Sequence, residues 1–184
     1  MNINKNTPNQ GFTLIEVMVV VAIIGITLAI AVPSFQAMIA SNRLTASANN
    51  LVSALQLAKS EAIKRNRLVI VSTNTSGNWA AGWLVFADIS QDYSQATDGT
   101  EPSISSFETL NTGFTIKPTG VTTNAAGNSL VIYRPDGRIN VDVILYFCSP
   151  ANTADFRKIV VQSTGRVQVQ TPTVAGVSYT TACS

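Results

Sequence analysis

Histidine is absent from the 184 residues. Its absence removes the commonest general base and the commonest zinc ligand. Cysteine occurs twice, at Cys148 and Cys183, too few for a structural zinc site without other ligands. Charge is also scarce. Asp, Glu, Lys and Arg make up 12% of the chain, against roughly a quarter in an average globular protein. With 12 Lys and Arg set against 10 Asp and Glu, the net charge is only +2. No basic excess is available to build a broad phosphate-binding surface. The G-x-S-x-G elbow and the phosphate-binding G-x-x-x-x-G-K loop are both missing. Catalysis, a bound cofactor and a metal site are therefore not expected. Asp88, Asp92, Asp98 and Glu101 share one polar stretch, but their spacing departs from the EF-hand template, and ordinary loop acids are the expectation. The surface must be largely uncharged and polar, and abundant Thr, Ser, Asn and Gln supply it.

What the chain does have is concentrated at its N-terminus. Residues 1–11 are polar, with a single positive charge at Lys5. From Phe12 to Val32 the chain is almost wholly apolar. That is roughly 20 residues and about 30 Å of helix, enough to span a bilayer core. A secretory signal would close with a small-residue cleavage site. Here Val32-Pro33-Ser34 runs on into helix-compatible sequence, so the apolar segment is expected to stay. Glu16 interrupts it near its start. A carboxylate in hydrocarbon costs several kcal/mol and usually marks function, unless it sits at the headgroup boundary and reaches water.

The segment Gly11-Phe12-Thr13-Leu14-Ile15-Glu16 resembles the processing motif of type IV prepilins. The resemblance implies a leader, residues 1–11, removed by a prepilin peptidase between Gly11 and Phe12, with Phe12 then N-methylated. Residues 12–40 would form the membrane-spanning and later filament-core part of a helix, and residues 41–184 a globular head. The precursor would sit in the inner membrane by one span with its head in the periplasm, and then pass into a filament. Glu16 has a physical role to play in that passage. The N-terminal amine of a neighbouring subunit's Phe12 brought against it would pair opposite charges in low dielectric, favouring one axial register.

Periodicity extends the helix. Leu44, Ala48, Leu51, Leu55, Ala58 and Ala62 recur at spacings of four and three, one apolar stripe. One helix is expected from about residue 13 to about residue 66, bent near Pro33, with Gly25 a second soft point. Lys64, Arg65 and Arg67 crowd its C-terminal end, where cations suit the helix dipole. Beyond Asn66 the pattern turns to short β-branched and aromatic runs over 68–72, 82–87, 114–117, 130–134, 141–148, 159–162 and 167–170. Turn signals such as Pro135-Asp136-Gly137 and Thr164-Gly165 separate them. The expected class is α+β: a pilin-like long helix whose second half packs on an antiparallel sheet. Residues 88–103 are expected to form an exposed loop, and Trp83 and Phe86 to be core aromatics.

Trp83-Leu84-Val85-Phe86-Ala87-Asp88, Tyr133-Arg134-Pro135-Asp136-Gly137 and Ser163-Thr164-Gly165-Arg166-Val167 are similar to the GspH/FimT family of minor pilins and pseudopilins. The resemblance implies a minor pilin of a type IV pilus that helps to initiate or cap the fibre, with other major and minor pilins as partners. Two alternatives stay open. One is an H-type minor pseudopilin of type II secretion. The other is capture of DNA for natural transformation, which in one branch of the family uses a late Gly-Arg-x-Arg motif. Here that motif reads Gly165-Arg166-Val167-Gln168, with the second Arg replaced; Arg157 and Lys158 would join Arg166 if neighbouring strands pair. In an exported head the two cysteines read as one disulfide, Cys148 to Cys183, closing about 35 residues and adding roughly 3–4 kcal/mol.

Overall fold

The computed structural model describes residues 11–95, 101–108, 110, 113–149, 156–171 and 183. The chain divides into two compact units, Met1–Ile39 and Ala40–Ser184. One helix, α1, runs over Leu14–Arg65. Its start is fixed by Thr13, whose hydroxyl oxygen accepts the Glu16 backbone N–H at 3.3 Å, an N-cap in the Thr-x-x-Glu pattern of a capping box. Helical turns continue through Pro33, whose missing N–H leaves the Ala29 carbonyl without its usual donor. In the first unit the large apolar side chains face outward: Ile15, Met18, Ile23, Ile26 and Ile30 are each at least half exposed. The segment is long and apolar enough to cross a membrane.

The end of α1 is equally well specified. Asn66 takes a positive φ of 52°. Its N–H reaches the Ile63 carbonyl, and the Arg67 N–H reaches that of Ala62. This is the Schellman closure that Asn, after Gly, adopts most readily. The turn releases the chain directly into the first strand.

Among the described residues nine strands follow α1: β1 Leu68–Thr73, β2 Trp83–Asp88, β3 Ser103–Phe107, β4 Thr115–Thr119, β5 Thr122–Thr123, β6 Ser129–Tyr133, β7 Val143–Cys148, β8 Phe156–Val161 and β9 Val167–Gln170. They form the expected antiparallel pairing, divided into two sheets in the orders β3-β2-β1-β6-β5 and β4-β7-β8-β9. A short 3₁₀ turn, Trp79–Ala81, precedes β2.

Within the second unit one core is shared by the helix and both sheets. Every residue of the predicted stripe, Leu44 to Ala62, is fully buried. Strand alternation sends Val69, Val71, Val85 and Tyr133 inward from the first sheet, and Val143, Leu145, Phe147, Ile159 and Val161 inward from the second. Trp83 belongs to this core and stacks on Phe107 with ring centroids 5.5 Å apart. Phe86 is also buried, but on the opposite face of the first sheet, with Ile70 and Leu130.

The stretch expected as an exposed loop is anchored at both ends. Asp88 and Glu101 are 1% and 2% exposed. Glu101 accepts the N–H groups of Ile89 and Ser90 and the Ser90 hydroxyl. Asp88 accepts those of Gln91 and Tyr93. Backbone donors in the loop thus satisfy the carboxylates that close it, a pattern that composition alone does not reveal.

Candidate assembly and binding surfaces

The processing motif lies where α1 begins. Gly11 and Phe12 precede the first turn, and Phe12 is 83% exposed. Glu16 is in that first turn and exposed. It is the only acidic residue of the helix before Glu61. Thr13 has a local role that the sequence reading missed, capping the first turn of α1 through its hydroxyl. Gly25 has open space around it, and Pro33 lies inside the helix.

The cysteines are joined. Cys148, at the end of β7, is disulfide-bonded to Cys183 with the Cα atoms 5.9 Å apart.

The basic residues proposed for DNA do not converge. In β8 the core residues are Ile159 and Val161, so alternation puts Arg157 on the inner face and Lys158 on the outer one. Arg157 donates to Ser41 and Thr45 of α1 at 3.3 and 3.2 Å, tying the helix to the sheet. Arg166 lies past the turn between β8 and β9, and the Gln168 side chain is beside it. With its amide oxygen toward the guanidinium, Gln168 accepts from Arg166 Nε and Nη2, each at 3.2 Å. The residue that replaces the second Arg of the motif thus engages the first. Lys158 pairs across to Gln170, four residues from Arg166, or about 13 Å along a strand. The cluster at the helix end is also partly committed: Glu61 pairs with Lys64 and Arg65 at 3.5 and 2.5 Å. The Arg65 hydrogen bond holds the Glu61 carboxyl below its ordinary range.

Gly165 serves packing. It has φ +74°, and a Cβ there would lie 2.0 Å from the Gly137 carbonyl oxygen. The two family-like turns, around Gly137 and Gly165, are therefore stacked on each other. Lys59 of α1 crosses them and donates to the Thr164 carbonyl at 3.4 Å, and the Ile139 N–H bonds to the Ser163 carbonyl at 3.0 Å. This junction joins helix, first sheet and second sheet.

Asp88, Asp92 and Glu101 offer oxygens within 4.8 Å of one another; Asp98 lies outside the described residues. Burial pushes the Asp88 carboxyl up, partly offset by the Gln91 and Tyr93 N–H bonds. The Ser94 hydroxyl and N–H hold Asp92 down. Donors from the loop satisfy these acids.

Comparison with known proteins agrees with this architecture. A family described as type II transport protein GspH matches residues 47–165, and a prokaryotic N-terminal methylation motif matches residues 6–32. Two fimbrial proteins of Pseudomonas aeruginosa are each 46% identical over 63 residues, 34% of this chain. The chain spans 40% of the length of those relatives. Among solved structures, the type IV minor pilin FimU of Pseudomonas aeruginosa is similar with a TM-score of 0.56 at 17% identity, covering 72% of this chain and 91% of that one. The minor pseudopilin EpsH of the Vibrio cholerae type 2 secretion system is similar with a TM-score of 0.50 at 13% identity, covering 71% and 98%. At such identities these two show the pilin fold alone. The GspH match covers most of the chain, the head that it covers has a pilin fold, and the methylation motif lies at the start of its apolar helix: the chain belongs to the GspH family.

Proposed function

We propose that the chain is a minor pilin of a type IV pilus, built into the filament through α1 and helping to initiate or cap assembly. The observation that carries this is the apolar segment itself. Phe12 and the helix behind it present large apolar side chains outward over more than six turns, which requires lipid or other helices around them. A prepilin peptidase would cut between Gly11 and Phe12, and Phe12 would be N-methylated. The precursor would wait in the inner membrane with its head in the periplasm. On assembly, Glu16 would receive the N-terminal amine of a neighbouring Phe12. Other major and minor pilins are the partners, met through α1 and through the heads. No step calls for catalysis.

Replacing Glu16 by Ala tests the register role. Processing should continue, read by mass spectrometry of the mature N-terminus, while incorporation into sheared filaments should fall at least about tenfold, the equivalent of roughly 1.4 kcal/mol. Unchanged incorporation would sink the pairing.

A second reading has specific support in the GspH match and the EpsH fold. As an H-type minor pseudopilin the chain would use the same helix and the same cleavage. Loss of protein secretion with pili intact, in a deletion strain, would select it. DNA capture has less behind it: Arg157 is on the helix side of its sheet, and Arg166 is held by Gln168.

A further inference from the structure

The inner face of the second sheet is spent on the core, but its outer face carries an ordered row of its own. Register places Lys117 of β4 opposite Tyr146 of β7, Tyr146 opposite Lys158 of β8, and Lys158 opposite Gln170 of β9. Since Ile116, Leu145 and Ile159 belong to the core, alternation turns this row outward. The Tyr146 ring rests edge-on against Phe156, centroids 6.1 Å apart, and the two lysines flank it at neighbouring-strand spacing, about 5 Å each. The next row brings half-buried Ile144 and Val160 beside them. Lys117 is exposed and Lys158 half-buried. Neither has an ion-pair partner among the described residues, and Asp142, just before β7, accepts the Ser163 N–H at 2.5 Å.

We propose that this face docks the acidic head of a different filament subunit, with Tyr146 at its centre and Lys117 and Lys158 as the charge-matching pair. The inference rests on the minor-pilin function above and names the face through which the head makes its contact. An aromatic anchor with aliphatic neighbours and a charged rim is the anatomy of a protein interface. Two lysines with no ion-pair partner among the described residues suffice for that, because rim charges select and steer a partner. They are too few for a nucleic acid, whose binding grows with each phosphate neutralised; the cations that would extend the patch are turned inward, as Arg157, or engaged, as Arg166.

The test places a photo-cross-linking benzoylphenylalanine at position 146 of the full-length chain in cells, at Thr119 on the same face as a second placement, and at Val20 in α1 as a control. The expected result is an adduct with another filament subunit, mapped by mass spectrometry to a segment containing Asp or Glu. Lys117→Glu with Lys158→Glu should lower its yield at least about tenfold, and changing the partner's mapped acid to Lys should restore it. Disulfide formation reports that each variant has folded. An adduct at Val20 with none on the sheet face, or one indifferent to the charge reversals, overturns the docking surface and leaves the filament function standing. Nucleic acid cross-linked at 146 overturns it as well. Silence at all three positions removes the filament function and the docking surface together.

Discussion

At the scale of single residues, small backbone demands decide more than the motif letters suggest. Gly165 belongs to a motif that drew attention for the Arg after it, yet its own constraint is the sharper one. An L-residue at φ +74° costs about 1–2 kcal/mol, and a Cβ 2.0 Å from the Gly137 carbonyl oxygen forces the two turns apart. Gly165→Ala should therefore destabilise the protein by at least about 2 kcal/mol, read as a lower denaturant midpoint in detergent, whereas Arg166→Ala should change it little. Equal effects would contradict the stacked-turn account. Asp88 gives a pH prediction with a definite sign. Its folded carboxyl is raised above the ordinary 3.8 by burial first. A raised acid takes up its proton more readily folded than unfolded, so its contribution is fully present below the unfolded value and is lost as pH rises through the folded one. Relative to Asp88→Asn, the native chain should gain stability as pH falls from 7 toward 4. Glu61 and Asp92, held low, act the other way, losing their contribution only as pH drops through their lowered values.

At the scale of elements, the helix shows what periodicity can and cannot convey. Leu51 lies in the middle of the predicted stripe and is fully buried against the core. Leu51→Ala should cost about 2–5 kcal/mol, and Gln56→Ala on the exposed side close to nothing, both from urea unfolding of the full chain. A stripe residue that proved neutral would mean that this half of α1 does not pack as described. The stripe, the helix ends to within a residue and seven of the strands were legible because each rests on local pattern: apolar spacing, an αL-tolerant Asn, β-branched runs between turns. β3 was not legible, since Ser103-Ile104-Ser105-Ser106-Phe107 is polar and becomes a strand through its pairing with β2. β5 is two residues long and owes its assignment to β6. The division into two sheets is a tertiary fact with no local signature. The site was legible in the same uneven way. The Gly11 to Glu16 motif could be read directly. That Arg157 and Lys158 face opposite sides of the second sheet requires knowing which residues of β8 meet the core, and the engagement of Arg166 by Gln168 requires the turn between β8 and β9 to be built.

At the scale of the whole molecule, the disulfide and the apolar helix make linked demands on location. A bridge between Cys148 and Cys183, 35 residues apart, withdraws about 3–4 kcal/mol of chain entropy from the unfolded head. It forms and persists only where thiols are oxidised. A head carried across the inner membrane by α1 reaches such a compartment; a head kept in the cytosol does not. Cells expressing the full chain should therefore yield Cys148 and Cys183 that resist alkylation until a reductant is added. Removing residues 12–32 should leave the head in the cytosol with both thiols alkylated, and with stability lower by roughly that same 3–4 kcal/mol. Adding Cys148→Ser to the full chain should reproduce the loss of stability without changing its location, which separates the bridge from the anchor. Alkylation of both thiols in the untreated full chain would place the head on the reducing side, and the periplasmic orientation would have to be abandoned.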